Sequence, residues 1–330
     1  MYESERNAAV EIVAEVCQLT HRVQDTIVAD GDALTKDDRS PVTLADLAAQ
    51  IVVSHRLAES FPGVPLLAEE DSAALDPATD IAERVHDQVI RHIRGMTAEL
   101  MVEALDRGDH DGAGDRYWVL DPIDGTKGFL RGDQYAVALA LVVDGTVEVG
   151  VLGCPNLPSR EPGQGRGSLF SAAREAGARS HSPDGSVEGD IRVDGISDTS
   201  EAVMCESVVA AHAAHSVQGR IASALGITSP SYRIDSQCKY AAVARGDASI
   251  YLRLPRDASY REKVWDHAAG ALIVEEAGGR VSDLEGNPLD FSKGRFLGHG
   301  NGIICTNGAV HEQVLTATRT ELENRTANDR

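Results

Sequence analysis

Cysteine is scarce and scattered in this chain. Cys17, Cys154, Cys205, Cys238 and Cys305 stand singly, with an odd count and no Cys-x-x-Cys pair, which argues against a disulfide framework and against a zinc site. Positive charge is also short: 31 Lys and Arg face 52 Asp and Glu, for a net charge of −21. Such a surface repels a nucleic-acid duplex and an anionic membrane, so neither is expected as a partner. Residues 1–16 lack a basic start followed by an apolar block, and no secretory leader is expected. Gly163 to Gly167 has no following Lys-Ser/Thr and is no Walker loop. A reduced, cytoplasmic protein is expected, and with 42% hydrophobic and 25% charged residues it is globular rather than disordered.

At 330 residues the chain can bury a sizeable core as one large domain or two modest ones. Apolar residues at helical spacing between Ala8 and Asp25 predict an amphipathic helix. A polar loop over Lys36–Pro41 follows, then a second helix from about Leu47. Val64–Ala68 reads as a short strand ending in Glu69-Glu70-Asp71, and helical stretches are expected at Ile81–Ile93 and Met96–Leu105. The runs Tyr135–Val143 and Thr146–Leu152 flank Asp144-Gly145, the signature of a hairpin. Later strands are expected at 202–206, 248–254, 280–283 and 302–305, with a helix ending at Gly278-Gly279 and a frayed tail from Glu321.

The chain is organised around Tyr117-Trp118-Val119-Leu120-Asp121-Pro122-Ile123-Asp124-Gly125-Thr126-Lys127-Gly128-Phe129. A strand-forming run meets a Pro between two acids, then Gly and Thr open a helix. Pro122 biases Asp121 towards extended backbone, so Asp121, Asp124 and the Ile123 carbonyl can converge. Hard oxygens arranged so suit Mg²⁺. Gly125 permits close approach, and the N–H groups of Gly125 and Thr126 could cradle a phosphate beside the ion. The alternative is a plain turn with Asp124 as a helix cap.

This stretch resembles the core motif of the inositol monophosphatase superfamily of lithium-sensitive, Mg²⁺-dependent phosphatases, and in its longer form through Gly132 it is most similar to the 3'(2'),5'-bisphosphate nucleotidase branch. The resemblance spans about residues 35 to 290. It implies a layered αβαβα fold: an α+β lobe over residues 1–195, an α/β lobe over 196–320, and a tail over 321–330. Ser40-Pro41-Val42-Thr43-Leu44-Ala45-Asp46 matches the family run whose acid, with the Asp-Gly-Thr threonine, prepares the attacking water, which pairs Asp46 with Thr126. On the residues alone, Asp46 could equally cap its helix. Glu69 matches a metal-bridging Glu, with Ala68 where the family has Gly; otherwise the three acids are a solvated corner. Trp265-Asp266-His267-Ala268-Ala269-Gly270 matches the motif that supplies the last metal carboxylate, Asp266.

The resemblance also implies a site for a phosphate that is not cleaved. His212, of a His-x-x-His loop, and Ser236, Lys239 and Arg253, of Asp235-Ser236-Gln237-Cys238-Lys239-Tyr240 and Tyr251-Leu252-Arg253-Leu254-Pro255, match the nucleotidase pattern. Taken singly, Lys239 and Arg253 read as solvated surface charges. An acidic chain that handles phosphate must supply positive charge locally, as Arg and Lys do. The implied activity is hydrolysis of the 3'-phosphate of adenosine 3',5'-bisphosphate, and of its 5'-phosphosulfate relative, with two or three Mg²⁺ ions and a small nucleotide bisphosphate as ligand. A monomer is expected. An inositol phosphatase or dual-specificity enzyme, and a non-catalytic phosphonucleotide sensor, are the alternatives.

Overall fold

A computed structural model of the chain describes residues 1–29, 40–75, 80–160, 165–208, 217–254, 260–298 and 302–328. Two helices open it, α1 (Glu3–Ala29) and α2 (Ser40–Ser60). α2 begins earlier than the loop expected up to Pro41, because a helix leaves its first N–H groups unpaired and so tolerates Pro in its first turn. A seven-stranded sheet follows, ordered β1 (Leu66–Ala68), β2 (Arg116–Asp124), β3 (Ala136–Val143), β4 (Thr146–Pro158), β5 (Arg166–Ala173), β6 (Ala178–His181) and β7 (Val187–Asp190). Only the β1–β2 pair is parallel. α3 (Ile81–Val89) and α4 (Ala98–Asp106) lie in the β1–β2 connection. The hairpin at Asp144-Gly145 has positive φ at both residues, 50° and 73°, as a tight two-residue turn requires.

The second sheet runs β11 (Arg280–Ser282), β12 (Ile303–Thr306), β10 (Ile250–Arg253), β8 (Met204–Glu206), β9 (Tyr232–Arg233). Its helices are α6 (Val217–Ala224), α7 (Cys238–Ala244), α8 (Ala268–Glu276) and α9 (His311–Asn328), while the short α5 (Thr126–Leu130) belongs to the first lobe. α9 continues through Glu321, where a frayed tail was expected, and Glu321 accepts a hydrogen bond from Arg220 at 2.8 Å.

Strand alternation produces the layers. Trp118 and Leu120 of β2 face one core with α1 and α2, whereas Tyr117 and Val119 face a second core with α7 and α8. Tyr251 of β10 joins that central core from the other side, and Ile250 and Leu252 face a third with α9. The order is helices, sheet, helices, sheet, helices. This αβαβα stack agrees with the expected fold, and each large buried apolar side chain adds about 1.5–3 kcal/mol to it. Among the described residues no helix is long and apolar enough to cross a membrane.

Candidate active site

β2 loses its register with β3 at Pro122. Pairing runs from Arg116↔Val143 to Asp121↔Ala138 and resumes at Asp124↔Ala136, one extra residue on β2. Pro has no N–H for the ladder, and the resulting bulge re-aims the two flanking acids. Gly125 then turns through φ 96°, and a Cβ there would lie 2.7 Å from the Ser236 Cβ. Both the backbone angle and the space demand glycine. Thr126 opens α5 and is exposed.

Asp266 arrives from the other lobe, closing a 3-10 turn just before α8. Carboxylate oxygens of Asp121, Asp124 and Asp266 lie within 4.8 Å of one another. Asp121 is only 2% exposed, and its Oδ1 has no hydrogen-bond partner. Burial first, and then the charges of Glu69, Asp124 and Asp266, push its carboxyl well above the ordinary range. Asp124 is raised to about 6 by burial and by Asp266, against the pull of Lys239, Arg253 and a 2.6 Å hydrogen bond from the Gln237 N–H.

Glu69 follows β1, whose Ala68 stands opposite Leu120 of β2, so parallel pairing sets Glu69 beside Asp121. The backbone there is clamped: Gln50 donates to the Glu70 carbonyl at 2.6 Å and accepts from its N–H at 3.1 Å, and Arg295 donates to the Ala68 carbonyl at 3.1 Å. Desolvation by the surrounding protein, then Asp266, Glu70 and Asp124, raise Glu69 to about 7. The residue as a whole remains exposed, so its carboxylate is reachable from solvent while its neighbours crowd it with like charge. Asp46, buried on α2, is held well above its usual value by burial and by Glu70 and Glu69. α2 packs on α5, but among the described residues no hydrogen bond joins Asp46 to Thr126.

Beside the acids lies a cleft of about 230 Å³, lined among others by Glu206, Lys239, Tyr251, Arg253 and Glu262. Lys239 on α7 is 7% exposed, and burial lowers its pKa while Asp124 opposes the fall. Arg253 ends β10, and its guanidinium donates to Asp266 at 2.7 Å, to Glu262 at 2.8 Å and to the Tyr260 hydroxyl at 2.9 Å. It is therefore bound into the acid cluster rather than solvated. Ser236 sits at φ 64°, uncommon for a residue with a Cβ, and its Oγ accepts from the Cys238 N–H at 3.2 Å. His212 lies outside the described residues.

The residues fit a divalent cation. Several buried or crowded carboxylates repel one another, one buried oxygen is unpartnered, and the donors are all hard oxygens. In a second close group, Glu262, Asp266 and His267, both ring nitrogens of His267 are engaged, with Glu262 at 3.0 Å and Tyr240 at 2.8 Å, while Glu262 Oε1 is buried without a partner among the described residues.

The profile of the Inositol monophosphatase family matches residues 1–323. The chain belongs to the inositol monophosphatase family. Within that family it is 41% identical to a 3'(2'),5'-bisphosphate nucleotidase of Schizosaccharomyces pombe, covering 96% of this chain and 95% of the relative. It is 44% identical to one of Oryza sativa, covering 96% and 94%. Among solved structures, an extragenic suppressor protein suhB of Bartonella henselae matches with a TM-score of 0.63 at 20% identity, over 96% of this chain and 98% of that one. Mycobacterium tuberculosis SuhB matches with 0.61 at 22%, over 96% of each. At that identity the structural likeness establishes the shared fold alone.

Gln50, Gln237, Tyr240, Glu262, His267 and Arg295 were not singled out by the sequence. Their roles depend on tertiary contacts; the one local signal is that Glu262 and His267 flank Asp266 within four residues.

Proposed function

We propose that this inositol monophosphatase family member is a Mg²⁺-dependent 3'(2'),5'-bisphosphate nucleotidase. It removes the 3'-phosphate of adenosine 3',5'-bisphosphate, and of its 5'-phosphosulfate relative, to leave the 5'-nucleotide and phosphate. The observation that carries this reading is the placement of the acidic trio Asp121, Asp124 and Asp266 directly beside a cleft holding Lys239 and Arg253. An ester phosphate at the acids would leave a second phosphate within reach of the two cations. The curated relatives named above support the same substrate class.

In this reading Glu69, Asp121, the Ile123 carbonyl, Asp124 and Asp266 hold two or three Mg²⁺. Bound there, the ions supply an acidified water and a counter-charge for the leaving oxygen. Asp46 and Thr126 would orient the attacking water, with the Asp46 carboxylate as the acceptor of its proton. The N–H groups of Gly125 and Thr126 bind the reacting phosphoryl oxygens. Ser236, Lys239, Arg253 and His212 hold the phosphate that is kept. Residues 1–195 form the lobe that supplies most of the metal ligands and 196–320 the nucleotide lobe, whose last helix α9 runs on past 320, and the enzyme works as a cytoplasmic monomer. Five buried, unpaired cysteines accord with a reducing compartment.

The test is phosphate release, with Mg²⁺, from adenosine 3',5'-bisphosphate, its phosphosulfate and inositol phosphates side by side. A clear preference for the nucleotides is expected. Equal or faster turnover of inositol phosphates would replace this reading with an inositol phosphatase.

A further inference from the structure

A chain of buried polar groups stands behind Arg253. The carboxylate of Glu262, 2% exposed, receives the Arg253 Nε at 2.8 Å and the His267 Nε2 at 3.0 Å through the same oxygen. A carboxylate only accepts, so Nε2 carries a proton, and in the neutral ring Nδ1 is then the acceptor. The Tyr240 hydroxyl meets that nitrogen at 2.8 Å. One tautomer thus connects the run Tyr240 to His267 to Glu262 to Arg253, with Glu262 Oε1 buried and without a partner among the described residues. Tyr240 and His267 are both fully buried.

The run is anchored by packing. Tyr240 sits on α7 and His267 immediately precedes α8. A Cβ on Gly270 would lie 2.4 Å from the Tyr240 ring, so glycine there lets the ring settle against α8. Tyr251 closes on it edge-on, with ring centroids 5.1 Å apart. Tyr240, His267 and Glu262 are buried polar groups linked in series to one guanidinium.

A guanidinium has five donors in a fixed fork. Glu262, Asp266 and Tyr260 take three of them, the two on Nη1 remain, the Tyr251 side chain also lies in hydrogen-bonding reach of the guanidinium, and Arg253 lines the cleft. Which way those two point is set by the Nε bond to Glu262 together with the Nη2 bonds to Asp266 and Tyr260. We propose that Tyr240, His267 and Glu262 are positioning residues that fix the guanidinium plane of Arg253, and thereby set the preference for substrates carrying a second, unreacting phosphate. The inference rests on the role given to Arg253 above.

The experiment measures adenosine 5'-phosphate binding by calorimetry, together with kcat and KM for adenosine 3',5'-bisphosphate and adenosine 3'-phosphate, in full-length protein. The variants are Tyr240→Phe, His267→Leu and His267→Gln. His267→Leu should weaken adenosine 5'-phosphate binding and raise KM for the bisphosphate by about tenfold, as expected for disturbing a hydrogen bond to a charged group. KM for adenosine 3'-phosphate, which has no second phosphate, should stay within about twofold of wild type, and so should kcat. His267→Gln, which can still donate to Glu262, should recover most of the loss. Tyr240→Phe should show a smaller effect in the same direction, and it carries the test should His267→Leu fail to fold. Unchanged binding in the folded variants overturns the proposal, as does a parallel rise of KM for both substrates. Wild-type phosphate release from the bisphosphate is scored separately. Release without sensitivity to these variants sinks this inference alone, and no release sinks the nucleotidase reading.

Discussion

Replacing Asp124 with Asn should stabilise the ion-free protein while removing its response to Mg²⁺. The carboxyl of Asp124 is raised from an ordinary 3.8 to about 6, first by burial and then by Asp266. A folded-state pKa above the unfolded one gives a stabilising contribution that is complete below pH 3.8 and lost as pH rises through about 6. Two pKa steps correspond to about 3 kcal/mol, forfeited by pH 8. Asn is neutral, and its side-chain oxygen can still accept the Gln237 N–H now bonded to Asp124 Oδ2. With an unfolding entropy of about 2.1 cal/mol/K per residue over the whole chain, 3 kcal/mol shifts the melting temperature by about 4 °C. Calorimetric melts in chelator at pH 8 should therefore place Asp124→Asn about 4 °C above wild type, with the gap narrowing towards pH 4. Added Mg²⁺ should raise the wild type and leave the variant almost unmoved. A variant that melts below wild type in chelator, or that gains as much from Mg²⁺, refutes the reasoning.

Lys239→Met should raise KM for adenosine 3',5'-bisphosphate by roughly 10- to 100-fold, the worth of a charge-assisted hydrogen bond to phosphate, and change KM for adenosine 3'-phosphate far less; equal effects in steady-state kinetics would remove Lys239 from the second phosphate site. Gly125→Ala forces a Cβ to φ 96° and to within 2.7 Å of Ser236, so chemical denaturation should show a loss of at least about 1–2 kcal/mol and phosphate release should fall steeply. Wild-type activity in that variant would contradict the close approach. His311 is buried between Ser282 and Thr306 at 3.0 Å each, and burial, then Arg280, push it down from 6.5 to about 4. The folded state resists a proton the unfolded chain accepts, so stability is complete above pH 6.5 and falls by up to about 3 kcal/mol as pH drops to 4. Urea melts of His311→Gln should lose that slope, and an unchanged slope would assign it elsewhere.

The parts of the site written as continuous motifs are legible in the sequence. Asp121, Pro122 and Asp124 announce a broken strand, and the structure has its bulge there. The Asp144-Gly145 hairpin is equally plain, because two positive φ angles demand such residues. What depends on distant partners is not. Nothing near Arg253 in sequence shows that it bonds Asp266 and Glu262, so Arg253→Ala would disturb an acid of the cluster along with the cleft. Lys239 is the cleaner probe for that reason. Tyr240 and His267 stand inside recognised motifs with no role of their own there, and only the packing of α7 on α8 joins them. α2 packs against α5, but among the described residues no hydrogen bond joins Asp46 to Thr126, and their expected partnership over the attacking water remains part of the proposal. Start and end of helices also shifted, since Pro41 is welcome in a first turn and Glu321 finds Arg220.

The most direct measurement is anomalous diffraction from crystals soaked in Mn²⁺, an oxygen-seeking stand-in for Mg²⁺. Peaks at coordination distance from Asp121, Asp124 and Asp266, at least one of them shared with Glu69, are the expected result. A peak confined to Glu262 and His267, or none within reach of the Asp121 carboxylate, would contradict the account.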